Sequence, residues 1–246
     1  ILAQTHADFE LLVVDDGSTD RTADVVGTFD DPRVRLIRQA NAGQPRAMNR
    51  GIREARGDLV ARHDADDLSL RDRFERQVAF LDAHPDVAMV GTGALLRDAA
   101  GRDRVFRAPD SADAVRRALA WGNPIVHTSV MMRREAVLRV GGYADMQFED
   151  YDLWIRMAER FPLGNLADPL VVRRIREGSR GRTGRRSAGL YHKARLQRMA
   201  IERLRLPAAA WLALAPTLLG AAAFAVVERA GDLGGARAAR RAARRA

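Results

Sequence analysis

The chain has 246 residues, enough for one large domain or for one domain with an extension. Its 47% hydrophobic content excludes a wholly disordered chain, and the lack of cysteine excludes disulfides, iron–sulfur clusters, thiolate zinc sites and cysteine nucleophiles. The formal charge of +9 is unevenly spread: residues 1–172 carry 23 Lys/Arg against 28 Asp/Glu, whereas residues 173–246 carry 18 against 4. The first stretch reads as a soluble domain with acidic clusters. The second reads as a basic extension that nucleic acid or an anionic membrane face would attract.

Residues 1–6 hold neither an initiator methionine nor a signal-peptide pattern and read as a trimmed start. The apolar run at 9–15 predicts a buried strand ending in Asp15 and Asp16. Ser18 or Thr19 is expected to cap the next helix, with Val25, Val26 and Phe29 as its apolar side. A strand is expected at 34–37 and a helix at 44–55, the latter stopping at Gly57. The strand at 59–61 runs straight into His63-Asp64-Ala65-Asp66-Asp67. Phe74, Val78 and Leu81 are spaced as a helical stripe, and 87–95 reads as a strand. The polar stretch 98–109 predicts a loop, 112–121 a helix, 125–132 an apolar strand, and Gly141-Gly142-Tyr143 a turn. A helix from Glu149 carries Tyr151, Trp154, Ile155 and Ala158 on one face and ends at Phe161-Pro162; residues 170–175 form the last strand. This alternation predicts an α/β fold with a mostly parallel central sheet flanked by helices. In such sheets ligands bind beyond the carboxyl ends of strands, where both acidic clusters fall.

Residues 176–189 are rich in Arg, Gly and Ser and read as a mobile linker, and 190–204 as a basic helix. Residues 206–227 contain no charge, almost the length of a bilayer span, but nine alanines with Pro207 and Pro216 make the stretch weakly apolar. Arg237, Arg240, Arg241, Arg244 and Arg245 follow at helical spacing, which suits a helix facing anionic lipid. A helix packed on the domain or on a partner, and a disordered tail, are the other readings of 206–246. The chain therefore divides into a domain at 1–175 and a basic helical extension at 176–246. On the lipid reading it is cytoplasmic, peripheral or anchored at the inner face of the cell membrane.

Asp64, Asp66 and Asp67 repel one another unless cations neutralise them, and a hard divalent ion held through oxygens does so. A solvated acidic loop capping the next helix is the plainer alternative. Asp15-Asp16-Gly17 offers carboxylates for a nucleobase N–H or a ribose hydroxyl, or forms a simple capped turn. Glu149-Asp150 opens a helix, where the dipole favours carboxylates, or supplies a general base. His127 interrupts an apolar segment and either lines an acceptor pocket, approaches a metal or is a structural histidine. His63 is placed to support the aspartates. Trp121 and Tyr143 can stack on a sugar or acceptor ring or belong to the core.

As an ordered series these segments resemble inverting family 2 glycosyltransferases with the GT-A fold, of the cell-envelope and exopolysaccharide type. The series is Val13-Val14-Asp15-Asp16-Gly17-Ser18-Thr19-Asp20, Asn41-Ala42-Gly43 with Arg46, Asn49-Arg50-Gly51-Ile52, and His63-Asp64-Ala65-Asp66-Asp67 with Arg73 and Gln77. It continues with residues 123–131, Gly141-Gly142-Tyr143 and Glu149-Asp150-Tyr151-Asp152-Leu153-Trp154. The resemblance covers about 1–175. It implies a nucleotide-diphosphate sugar donor, a glycan, lipid-linked or other hydroxyl acceptor, and Mn²⁺ or Mg²⁺. By it, Asp15 or Asp16 holds the nucleoside, and Asp64 and Asp66 form the Asp-x-Asp motif with Asp67 beside them. Asp150, with Glu149, stands at the base position, and Arg46 and Arg73 lie near the donor or in the scaffold. The family's first strand has no counterpart here, so one central strand and part of the nucleoside wall are expected to be missing. Arg71 stands where many relatives have proline.

Two other functions compete with this reading. A nucleotidyltransferase also needs a metal on an α/β sheet, but the Gly/Arg/Lys-rich triphosphate loop it favours is not found. A non-enzymatic nucleic-acid binder would account for the arginines, yet these concentrate outside the core and no recognised binding module is present.

Overall fold

The computed structural model describes residues 1–175 and 186–243, with the side chains of the latter described for 187–228. The apolar runs expected near the start pair as β1 (Leu11–Asp15) and β2 (Val34–Arg38), parallel, with Leu11 opposite Val34 and Asp15 opposite Arg38. Between them lies α1 (Thr22–Gly27), and after them α2 (Gln44–Glu54). The chain then forms β3 (Leu59–Ala61), β4 (Leu68–Ser69), α3 (Arg73–Ala83), β5 (Met89–Arg97), β6 (Asp103–Phe106), α4 (Ala112–Ala118), β7 (Met131–Arg133) and α5 (Arg134–Arg139). It finishes with α6 (Glu149–Ala158), β8 (Leu163–Arg174), α7 (Arg186–Arg203) and α8 (Leu214–Ala243).

The second sheet has the order β3-β7-β5-β8-β4, with β6 folded back along the far half of β5. The α/β architecture with helical flanks and a helical C-terminal extension is as expected, but the strand directions differ. Only β1·β2 and β5·β8 are parallel; β3·β7, β5·β7, β5·β6 and β4·β8 are antiparallel. β6 returns directly beside β5 through a short turn, which needs no crossover helix, while β4 and β7, strands of two and three residues, pair antiparallel with strands distant in the chain. β1 and β3 share no ladder. A cleft of about 1120 Å³ lies between them, lined by Leu12, Val14, Ala47, Leu59 and Met131 among others.

Several local expectations are corrected. The loop expected at 98–109 contains β6, whose residues are mostly exposed and so show no apolar alternation. The strand expected at 125–132 is a 3₁₀ turn at His127–Ser129 followed by the short β7. There the Ser129 hydroxyl bonds to the Val126 carbonyl, competing with a ladder. Asp20, not Ser18 or Thr19, receives the Thr22 amide at 2.9 Å, and α1 leaves Val25 and Phe29 exposed. β8 begins seven residues before the expected 170, passing an irregular register around Ala167–Pro169. The first residues of the expected linker, 176–185, lie outside the described residues, as do Arg244, Arg245 and the side chains of Arg237, Arg240 and Arg241.

α6 is the centre of the core. Leu153, Trp154, Ile155 and Met157 are fully buried against Met89, Met132 and Leu163, and α7 adds Leu196, Ala200 and Leu204 to the same cluster. The extension thus starts with a helix that shares the main core. Arg73, expected near the donor or in the scaffold, is wholly buried beneath the acidic loop, in the scaffold. Its Nε donates to Gln77 Oε1 (2.9 Å), Nη1 to Ser69 Oγ (2.8 Å), and Nη2 to the carbonyls of Arg62 (2.9 Å) and Val130 (3.1 Å). Burial, with the nearby charge of Arg62, brings its pKa down to about 9. Three separate segments share this one guanidinium, so Arg73 is a strut and not a ligand contact. Arg73→Met should cost on the order of 2–4 kcal/mol, because buried carbonyls lose their donors; urea unfolding of the two proteins measures it.

Candidate active site

The turn after β1 is organised by its two aspartates. The Asp15 side chain is 1% exposed, takes the Ser18 amide at 2.8 Å and lies 3.5 Å from Arg38. The Ser18 hydrogen bonds, with Arg38, hold it below the usual carboxylate range. It is engaged in the turn, so of the pair expected to hold the nucleoside, Asp15 or Asp16, it is Asp16 that faces the cleft. Asp16 faces the cleft while its carboxylate accepts from Gln39 Nε2 (2.7 Å) and from the amides of Ala42 and Gly43 (both 2.9 Å). Gly17 is required there: its φ is +78°, and a Cβ would stand 2.7 Å from the Asn41 amide.

The acidic loop leaves the end of β3. Its backbone is tied to the 127–129 turn by the Asp64 amide donating to Thr128 Oγ1 at 3.0 Å, and its Asp67 side chain accepts from the Arg174 amide of β8 through Oδ1 at 2.9 Å. One oxygen from each of Asp64, Asp66 and Asp67 falls within 4.8 Å of the others. Burial pushes Asp67 above its ordinary pKa. Arg62, a residue that sequence reasoning missed, forks onto Asp64 with N–O distances of 2.6 and 2.5 Å, and its side chain is only 10% exposed. His63 lies beside the Asp67 carbonyl (3.2 Å) and Ser69 Oγ (3.3 Å); burial lowers its pKa to about 4, so it supports the loop as a neutral ring. This set of clustered hard oxygens fits a divalent cation such as Mn²⁺ or Mg²⁺.

Asp150 stands in the first turn of α6 beside Glu149, just after Phe148, whose φ of 60° is uncommon for an aromatic residue. Asp150 Oδ1 takes the Tyr151 amide (2.8 Å) and Oδ2 takes Asn123 Nδ2 (2.7 Å). Burial raises its pKa, while the Tyr151 amide, Arg62 and Asn123 act in the opposite sense. His127 Nδ1 is 3.9 Å from Asp150, and its Nε2 is 2.9 Å from the Tyr143 hydroxyl. Burial holds His127 well below its ordinary pKa, so it is neutral and its contact with Asp150 is not an ion pair. Burial likewise raises the Tyr143 phenol. Tyr143 is pinned by Asn49, which accepts from its amide and donates to its carbonyl (2.8 and 2.7 Å). Asp152 and Arg156 brace the same turn, with Arg156 donating to the Gly142 carbonyl at 2.7 Å.

The two carboxylate groups therefore converge. Thr128 holds the acidic loop while its neighbour His127 faces Asp150, and the charge of Arg62 acts on Asp150, His127 and Tyr143 alike. Trp121, 57% exposed, lies two residues before Asn123 and gives its carbonyl to Gln197 Nε2 of α7. Arg46 is farther out, pairing with Asp145 at 3.1 Å across exposed surface. Asn123 was legible as part of a motif but not as the partner of Asp150. Arg62 carried no signal beyond a cation next to a cluster of anions.

With this geometry in place, comparison with known proteins identifies the lineage. The description "Glycosyl transferase family 2" matches residues 1–141, and the chain belongs to that family. It is 33% identical over 175 residues to the amylovoran biosynthesis glycosyltransferase AmsE of Erwinia amylovora, covering 69% of this chain and 65% of AmsE. It is 34% identical over 230 residues to EpsE of Bacillus subtilis, covering 90% and 81%. Its fold matches TarS of S. aureus in complex with UDP-GlcNAc, with a TM-score of 0.65 at 19% identity, over 88% of this chain and 64% of that one. The chain thus spans just under two thirds of AmsE and of that TarS chain.

The Arg62 fork yields a direct test. Arg62→Met leaves three crowded carboxylates without their internal cation, so melting in EDTA should fall by several degrees, about 1–2 kcal/mol of stability. Added Mn²⁺ should raise the melting temperature of this variant more than that of the parent chain, as differential scanning fluorimetry would show.

Proposed function

We propose that this domain transfers a sugar from a nucleotide-diphosphate donor to an acceptor hydroxyl, with inversion at the anomeric carbon. The observation that carries the reading is that Arg62, which forks onto Asp64 of the Asp64-Asp66-Asp67 loop, also acts electrostatically on Asp150. Membership of the family, and a fold shared with a protein solved with UDP-GlcNAc, support the donor class.

Asp64, Asp66 and Asp67 would hold Mn²⁺ or Mg²⁺, which supplies neutralisation of the charge that develops on the departing diphosphate. Asp16, at the edge of the cleft, faces the nucleoside end, with Arg46 on the outer rim. Asp150 takes the proton of the attacking hydroxyl, Glu149 stands next to it, and Asn123 orients the carboxylate. Tyr143, His127 and the exposed Trp121 form the acceptor side, a rim suited to a sugar ring. A single displacement needs one base and no second nucleophilic carboxylate. The acceptor is a glycan or a lipid-linked hydroxyl, and the site of action is the inner face of the cell membrane. One helical stretch, Ala208–Glu228, is long and apolar enough to cross a membrane.

Asp150→Asn should reduce turnover by about 10²–10⁴-fold while leaving donor affinity intact; retention of turnover would remove Asp150 from this role. A base must be ionised, and burial raises the pKa of Asp150, so activity should fall as pH drops through that raised value. Asn123→Ala takes away a hydrogen bond to the charged form and should move the acidic limb of the pH–rate profile upward by about one pH unit. Asp66→Ala should abolish the Mn²⁺-dependent part of UDP or GDP binding. Calorimetry that shows equal binding with and without Mn²⁺ in the parent chain would defeat the metal assignment.

A further inference from the structure

A 3₁₀ segment at Ala208–Ala213 runs straight into α8, and the stretch from Ala208 to Glu228 has two unlike sides. On one, Ala213, Thr217 and Ala221, four residues apart, are buried, and Gln197 Nε2 of α7 reaches the Ala213 carbonyl at 3.3 Å. Farther along, the Ser187 hydroxyl and amide meet the Glu228 carboxylate, so this side is attached to α7 from Ala213 to Glu228. α7 in turn inserts Leu196, Ala200 and Leu204 into the main core. On the other side Leu212, Leu219 and Val226, seven residues apart, are 68, 72 and 69% exposed, flanked by Trp211, Leu218 and Val227. No charged residue occurs between 206 and 227.

We propose that this outer face rests in the headgroup region of an anionic bilayer, with the α8 axis in the membrane plane, and does not span it. The inference gives a geometry to the membrane location proposed above and is independent of the catalytic assignments. A spanning helix is surrounded by lipid. Here that would either strip α8 from α7 or draw Lys193, Arg195 and Arg198 of α7 into hydrocarbon, where each cation is costly. An apolar stripe on one side of a helix docked to its domain through the other is the pattern of an interfacial helix. Charge selects the occupant: the chain around this uncharged stretch, residues 173–246, carries 18 basic against 4 acidic residues, a balance that attracts anionic lipid. α7 also reaches the acceptor side through Gln197 and the Trp121 carbonyl. Docking by α8 therefore fixes the acceptor side relative to the bilayer.

The absence of cysteine allows a single label. Leu219→Cys carrying an environment-sensitive NBD group should brighten and shift to the blue with vesicles of phosphatidylcholine and 30% phosphatidylglycerol. It should respond much less to pure phosphatidylcholine, and a label at Arg104→Cys on β6 should not respond. Alkaline carbonate should release the bound protein from the vesicles. The triple variant Leu212→Glu, Leu219→Glu, Val226→Glu should bind these vesicles at least about tenfold more weakly. Its circular dichroism and Mn²⁺-dependent nucleotide binding should match the parent. An unresponsive label at 219 would overturn the proposal, as would retention after carbonate treatment, which marks a span. A vesicle-free blue shift that grows with protein concentration would overturn it in favour of a second copy. Nucleotide binding is read separately, so loss of vesicle docking and failure of the catalytic reading are distinguishable.

Discussion

The mutual repulsion of carboxylates gathered at the end of a short, half-buried strand is the constraint around which this molecule is arranged. Asp64, Asp66 and Asp67 present oxygens within 4.8 Å of one another, and the only compensation built from side chains and described at the cluster's Asp64 is the fork from Arg62. Such an arrangement is tolerable because the Asp64 amide is tied to Thr128, the Asp67 carboxylate to the Arg174 amide, and because the buried strut Arg73 holds the carbonyl of Arg62 from beneath. A site with strong repulsion and rigid support is pre-organised to receive positive charge. The same Arg62 lies near enough to act on Asp150, so one guanidinium couples the two acidic sides of the cleft.

A second layer of polar contacts fixes the acceptor side. Asn49 on α2 clamps both backbone groups of Tyr143, and a Cβ at Gly142 would stand 2.3 Å from its Oδ1, which together with a φ of +68° explains the glycine. Arg156, paired with Asp152 inside α6, donates to the same turn. The base candidate is therefore mounted on a helix that belongs to the main core. Precision at the site follows from that burial: Trp154, wholly buried one turn after Asp150, packs edge-on against His127 and Tyr143 and leaves them no room to shift.

The extension is continuous with this framework. α7 contributes to the main core on one face and carries α8 on another, so the apolar stripe of α8 is oriented relative to the cleft and is not a loose tail. Basic composition and apolar sequence in 206–227 suggested contact with a membrane, but they are equally compatible with a span, a surface helix or packing on the domain. The buried row Ala213, Thr217, Ala221 distinguishes these arrangements, because it occupies the side that lipid would otherwise cover.

Local chemistry made much of this legible in the amino-acid order alone. The apolar run before Asp15, the helical stripes of α3 and α6, and the placement of acidic clusters at strand ends all arise from near-neighbour spacing, which a linear pattern records. The order of motifs from Asp15 to Trp154 likewise identified the lineage, since motifs are themselves local. What lay beyond reach depended on partners distant in the chain. Asp15 and Asp16 look alike in sequence, but only folding turns Asp15 inward to Ser18 and Arg38 while Asp16 faces the cleft. Arg73 resembles a ligand contact until its acceptors, the carbonyls just after β3 and just before β7, are in place. Strand direction in the second sheet, the fork of Arg62 and the exposed side of α8 were decided only by packing, because the free energy of a buried charge or an apolar face is set by what surrounds it in space.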